Sequence, residues 1–174
     1  MNKLTKALAV FFALAALVGG VFAQRWWSAA AIQQGASELE AAFPDFAGKP
    51  HALKEWQGKI LVINFWASWC PPCVEEMPEF FLLQNQLGPQ GVQFIGILVD
   101  DEPDVAQEFL KAMPVNYPML NGNIGGRQWA AKLGNNTEVL PYSLVYDATG
   151  KRVHTEIGKF TRDEVLEQVK PLLK

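Results

Sequence analysis

Lys59 to Trp66 reads Lys-Ile-Leu-Val-Ile-Asn-Phe-Trp, a β-prone apolar run with almost no polar alternation. Such a run is expected of a strand covered on both faces, which requires helices on either side of its sheet. The chain's two cysteines stand just beyond it, in Trp69-Cys70-Pro71-Pro72-Cys73. This junction constrains the fold more than any other feature: a buried strand must run straight into a helix start, with two thiols at the turn. Two cysteines among 174 residues are too few for a disulfide framework, so they are idle thiols or a working pair.

The rest of the chain fits an α/β sandwich with a mixed sheet. Val92 to Val99 is a second buried run, interrupted by Gly96. Ser143 to Tyr146 and Arg152 to Ile157 flank the turn signal Ala148-Thr149-Gly150-Lys151 and read as an antiparallel hairpin. Helices are expected over Pro72 to Leu87, Pro103 to Met113 and Thr161 to Lys170, the last opening with the capping box Thr161 and Glu164. Phe43 to Trp56, with Ala47-Gly48-Lys49-Pro50 at its middle, adds an N-terminal hairpin. One domain is expected over residues 43–174, preceded by a short, partly helical tether at 24–42.

Residues 1–23 read as a targeting segment. Lys3 and Lys6 precede an apolar stretch from Ala7 to Ala23, closed by Val21-Phe22-Ala23, which fits a cleaved signal peptide. The same stretch, followed by Trp26-Trp27, also fits an uncleaved membrane anchor. Both predict export to a periplasmic compartment where disulfides persist. The net charge of −3 becomes more negative without Lys3 and Lys6, which argues against a nucleic-acid partner.

Cys70 falls near the N-cap of the expected helix, where the helix dipole favours an anion and lowers a thiol pKa, so it is the expected nucleophile. Pro71 and Pro72 lack N–H groups, leaving Cys73 to supply the nearest donors to a Cys70 thiolate. Cys73, further into the helix, suits the resolving role. A structural zinc site would need four ligands, and His51 and His154 are isolated in sequence, so no metal is expected.

Phe65-Trp66-Ala67-Ser68-Trp69-Cys70-Pro71-Pro72-Cys73-Val74-Glu75-Glu76-Met77-Pro78 resembles the active-site stretch of thioredoxin-like proteins. It is most similar to the exported TlpA/ResA group, related to DsbE/CcmG. The resemblance covers most of the domain and implies a thioredoxin fold with a central βα insertion, here from Tyr117 to Leu133. It implies a redox-active Cys70–Cys73 disulfide, proton handling by Glu76, and a cis bond at Pro141 in Leu140-Pro141-Tyr142-Ser143. Leu140 and Pro141 would then bind substrate, with Trp69 as a rim for the partner. Two positions depart from the wider pattern: Asn64 stands where plain thioredoxins carry a buried aspartate, and Tyr142-Ser143 follows Pro141 where threonines are commoner.

The expected activity is reduction of a protein disulfide, with apocytochrome c a candidate substrate and a DsbD/CcdA-type membrane protein as electron donor. No cofactor is expected. A disulfide oxidase or isomerase is the rival within the class, and a Cu(I) metallochaperone using the thiolate pair is the alternative outside it. Asp100, Asp101, Glu102 and Asp104 read as a solvated helix start, and Gly122, Gly125 and Gly126 as turn residues. Asn135-Asn136-Thr137 matches a glycosylation acceptor, a pattern common by chance.

Overall fold

The computed structural model describes residues 3–113 and 115–173. An N-terminal helix α1 (Lys3–Glu38) leads into a two-stranded hairpin, β1 (Ala42–Pro44) and β2 (Pro50–Ala52). There follow β3 (Ile60–Trp66), α2 (Pro71–Leu87), β4 (Val92–Leu98) and α3 (Pro103–Ala112). The chain continues through β5 (Met119–Asn121), α4 (Asn123–Lys132), β6 (Tyr142–Tyr146), β7 (Arg152–Ile157) and α5 (Arg162–Val169). The sheet order is β5-β4-β3-β6-β7, with β3, β4 and β5 parallel and β6 and β7 antiparallel to their neighbours. This is the thioredoxin-like fold with the expected N-terminal hairpin, and β5 with α4 forms the added βα unit.

The apolar run at β3 is explained by its two neighbours. Leu61, Ile63 and Phe65 face one layer, where they pack with Phe43 of the hairpin, Leu53 just after it, Ala130 of α4 and Leu133 at its C-terminal end. Ile60 and Val62 face the other, against Phe80, Leu83 and Leu87 of α2 and Val165 and Val169 of α5. Each fully buried side chain of this size contributes about 1.5–3 kcal/mol by leaving water, so a polar residue inside β3 needs a specific reason. Asn64 is the one that has it.

Three expectations change in detail. The tether at 24–42 is helical through Glu38, as its Ala, Gln and Glu content favours, and Leu39 is already part of the core. Gly122 stands at the N-terminus of α4, with Gly125 and Gly126 inside that helix, rather than in turns. A Cβ on Gly122 would lie 2.5 Å from Ile97 Cγ2 and 2.9 Å from the Leu98 carbonyl oxygen, so the residue permits close helix–strand packing. The histidines are not isolated: His51 lies 3.0 Å from Glu55 and 3.4 Å from Asp45, and His154 lies 3.0 Å from Glu156.

Lys3, Lys6 and the first residues of the expected targeting segment have side chains outside the described residues. Among the described residues, no helix is long and apolar enough to cross a membrane.

Candidate active site

β3 ends at Trp66, and the chain turns tightly into α2. The Cys70 N–H donates to the Ala67 carbonyl at 3.2 Å, and the Cys70 carbonyl accepts from Val74 at 3.1 Å, opening the helix. Cys70 is the N-cap, in extended conformation, with prolines in the first turn where missing N–H groups are tolerated. Cys70 and Cys73 form a disulfide with Cα atoms 5.3 Å apart. The Cys73 amide donates to Cys70 Sγ at 3.3 Å, as the two proline gaps require. Cys70 is 3% exposed and Cys73 fully buried, among Trp66, Met77, Leu98 and Ala106.

Glu76, one turn beyond Cys73, is 1% exposed. Its Oε1 accepts from Asn64 Nδ2 at 2.6 Å and its Oε2 from the Phe160 amide at 2.9 Å. Burial pushes its carboxyl up to about 8, against the opposing pull of those two hydrogen bonds and of the Lys159 charge. Near neutral pH most of it is protonated. Asn64 Nδ2 also donates to Ser143 Oγ at 3.0 Å from the paired position on β6. The two departures from the family pattern therefore meet: the Asn64 amide holds the buried acid, and the Ser143 hydroxyl accepts from that amide, neither group ionising.

The opposite wall is the loop before β6. The Leu140–Pro141 bond is cis, and Leu140 packs against the cluster that contains both cysteines. Asn135, 3% exposed, braces this loop by donating from Nδ2 to the Val139 carbonyl at 2.9 Å and accepting from the Val139 amide at 3.1 Å. Its amide is committed to the fold and is no free acceptor for a glycan. Trp69 is 58% exposed, yet its indole N–H donates to the Asp100 carbonyl at 2.8 Å.

The acids stand at a solvated helix start as expected, with Glu102 the N-cap of α3 and Asp100, Glu102 and Asp104 exposed, but the half-buried Asp101 turns back toward the site. Asp101 Oδ2 accepts from the Ser68 amide at 2.6 Å, so the Asp101 carboxylate and the Asp100 main-chain carbonyl both brace the cysteine turn. Arg127, from α4, lies 3.4 Å from Asp100 Oδ1 and 3.7 Å from Glu138 Oε2. Sequence reasoning missed Arg127 and Glu138 as well. A signal existed for the aspartates: β3 and β4 are adjacent parallel strands pairing Trp66 with Leu98, so the residues after each emerge side by side. Arg127, far along the chain, left none. Among the described residues, no group of three or more His, Cys, Asp or Glu side chains is gathered to hold a metal.

A disulfide closed across the first turn of a helix, beside a buried acid and a cis-proline loop on a thioredoxin-like sheet, defines a thiol:disulfide oxidoreductase. Residues 35–170 match the family described as Redoxin, and the chain belongs to that family. It is 27% identical to thiol-disulfide oxidoreductase ResA of Geobacillus thermodenitrificans, over 91% of this chain and 90% of that protein. It is 35% identical to thiol:disulfide interchange protein HelX of Rhodobacter capsulatus, over 67% of this chain and 62% of that one. A secreted disulfide oxidoreductase of Mycobacterium tuberculosis, described as homologous to DsbE of E. coli, superposes with a TM-score of 0.65 at 27% identity, covering 78% of this chain and 98% of its own.

Proposed function

We propose that this chain is an exported reductant of protein disulfides in which Cys70 attacks and Cys73 resolves. The observation that carries the reading is Cys70 at the N-cap of α2, with the Cys73 amide directed at its sulfur. A thiolate there gains from the helix dipole and from that hydrogen bond. It attacks one sulfur of the substrate disulfide and releases the other as a thiolate, which takes up a proton. Cys73 then gives its proton to the deprotonated fraction of Glu76 and attacks Cys70 in the mixed disulfide. The second substrate sulfur leaves as a thiolate and takes up a proton, and the Cys70–Cys73 disulfide is restored. Trp69, Leu140 and Pro141 line the approach of the substrate chain.

The resulting disulfide must be reduced again, and a membrane protein of the DsbD/CcdA type is the proposed donor. Apocytochrome c, whose paired cysteines must be reduced before haem attachment, is the proposed substrate. Residues 1–23 act as a signal peptide or membrane anchor and residues 24–42 as a linker, leaving residues 43–174 as the working domain in the periplasm. The secreted relative supports export.

The test is the reduction potential of the protein together with trapping. A potential below about −200 mV supports a reductant, and one near −120 mV assigns the protein to the oxidases. Cys73→Ala is expected to accumulate mixed disulfides through Cys70, and equal trapping by Cys70→Ala would overturn the assignment of roles.

A further inference from the structure

Trp69, Val99, Asp100, Arg127, Ala130, Asn135, Glu138 and Leu140 enclose a small pocket beside the disulfide. Trp69 immediately precedes Cys70 in the chain, and Leu140 packs against the cluster holding both cysteines. The pocket therefore spans the two walls between which a substrate chain bonded to Cys70 must lie. Its inner surface is mostly apolar, from Val99, Ala130 and Leu140, with the Trp69 ring at one side.

The rim is built differently. Asp100 and Glu138 both adopt left-handed backbone conformations, at φ of +55° and +54°, uncommon outside glycine. Both acids face the same guanidinium, Arg127. Asp100 also holds Trp69 through its carbonyl, and Glu138 stands on the loop that leads to Leu140. One arginine from the inserted helix thus ties the cysteine turn to the cis-proline loop across the mouth of the pocket.

We propose that this pocket receives the side chain next to the reacting cysteine of the substrate, that it selects a small uncharged one, and that Arg127 sets its rim. The proposal rests on Cys70 as the attacking group. Size and chemistry both point to this occupant. The space is about 50 Å³, well below the cavity of about 150 Å³ that accommodates a benzene ring. An aliphatic group of a few carbons fits, and an indole does not. A carboxylate would lose its water against Val99, Ala130 and Leu140, and the arginine on the lining, Arg127, already faces Asp100 and Glu138. A lysine would find the rim acids already paired with Arg127.

The experiment uses the full chain, reduced, with disulfide-bridged peptides that differ only at the residue before or after the cysteine: Ala, Val, Asp, Lys or Trp. Rates are normalised to 2-hydroxyethyl disulfide, which has no such side chain. In at least one series, Ala and Val are expected to react at least tenfold faster than Asp, Lys and Trp. Equal rates in both series would overturn the pocket while leaving the reductase reading intact. Failure to reduce 2-hydroxyethyl disulfide at all would instead remove the reading on which the pocket depends. Ala130→Phe fills the space and is expected to flatten the ranking, and a ranking that survives it overturns the proposal. If that buried change does not fold, the exposed Arg127→Gln decides. It frees Asp100 and Glu138, and is expected to raise the Lys peptide at least threefold relative to Ala. No change in that ratio refutes the role of Arg127.

Discussion

Replacing Glu76 by glutamine removes one ionisable group from the interior and leaves its shape. The polar network can be kept: the new amide oxygen accepts from the Phe160 N–H, and its nitrogen donates to Asn64 once the Asn64 amide turns over, with Ser143 donating to Asn64 in exchange. What changes is the response to pH. The folded carboxyl sits at about 8 against an ordinary value of 4.5. With the folded value above the unfolded one, the neutral form favours folding. Its stabilising effect is fully present below about 4.5, falls as pH rises, and is gone above about 8. At about 1.4 kcal/mol per tenfold, the whole interval amounts to roughly 5 kcal/mol, most of it expressed between pH 5 and 9. Guanidinium unfolding of the oxidised full chain at pH 5, 7 and 9 measures it, because the disulfide removes both thiols from the titration. The wild type is expected to lose several kcal/mol more than Glu76→Gln over that range. Parallel stability curves for the two proteins would show that Glu76 ionises freely in the fold, and the argument from its burial would fail.

Three further changes probe the surrounding frame. Trp69→Phe removes the indole hydrogen bond to Asp100 at an exposed site; stability by thermal unfolding is expected to fall by no more than about 1 kcal/mol, while KM for a protein disulfide rises. Gly122→Ala places a methyl group against Ile97 and the Leu98 carbonyl, and is expected to cost about 1–3 kcal/mol in denaturant unfolding; an unchanged midpoint would mean that α4 is not seated closely on the sheet. Asn135→Ala deletes both braces on Val139, with an expected loss of about 2 kcal/mol and faster proteolysis of the loop before Pro141.

The parts of this architecture that were readable from sequence are those written in local pattern. The runs at Ile60–Trp66 and Val92–Leu98, the turn at Thr149-Gly150, the capping box at Thr161 and the Cys-Pro-Pro-Cys junction each lie within a few residues and became the expected elements. Glu76 was legible as a candidate through the resemblance of its stretch to the TlpA/ResA pattern, but its anchoring to Asn64, twelve residues away, and to Phe160, eighty-four away, was not. Asp101 reaches Ser68 across thirty-three residues, and Arg127 reaches Asp100 across twenty-seven. Such pairings arise from strand order, and no periodicity along the chain encodes them. The glycines at 122 and 126 show the opposite failure. Their composition suggests a turn, whereas Gly122 caps α4 and Gly126 lies inside it, both packed against Ile97.

The junction between α1 and the domain carries a mechanical consequence. Tyr146 donates to Glu38 Oε2 at 2.8 Å, Arg152 lies 3.3 Å from Glu38 Oε1, and Leu39 is buried beside them. Tyr146 pairs with Leu61, at the start of β3, while the cysteine turn follows Trp66 at its end. The helix is therefore socketed at the pole away from the disulfide. Where residues 1–23 stay attached as an anchor, its 36 residues make a lever of about 54 Å. Whatever grips the distal end of that lever steers the domain through a fixed bearing rather than a slack string, so severing Glu38 from Arg152 should alter where the dithiol can reach without altering its chemistry.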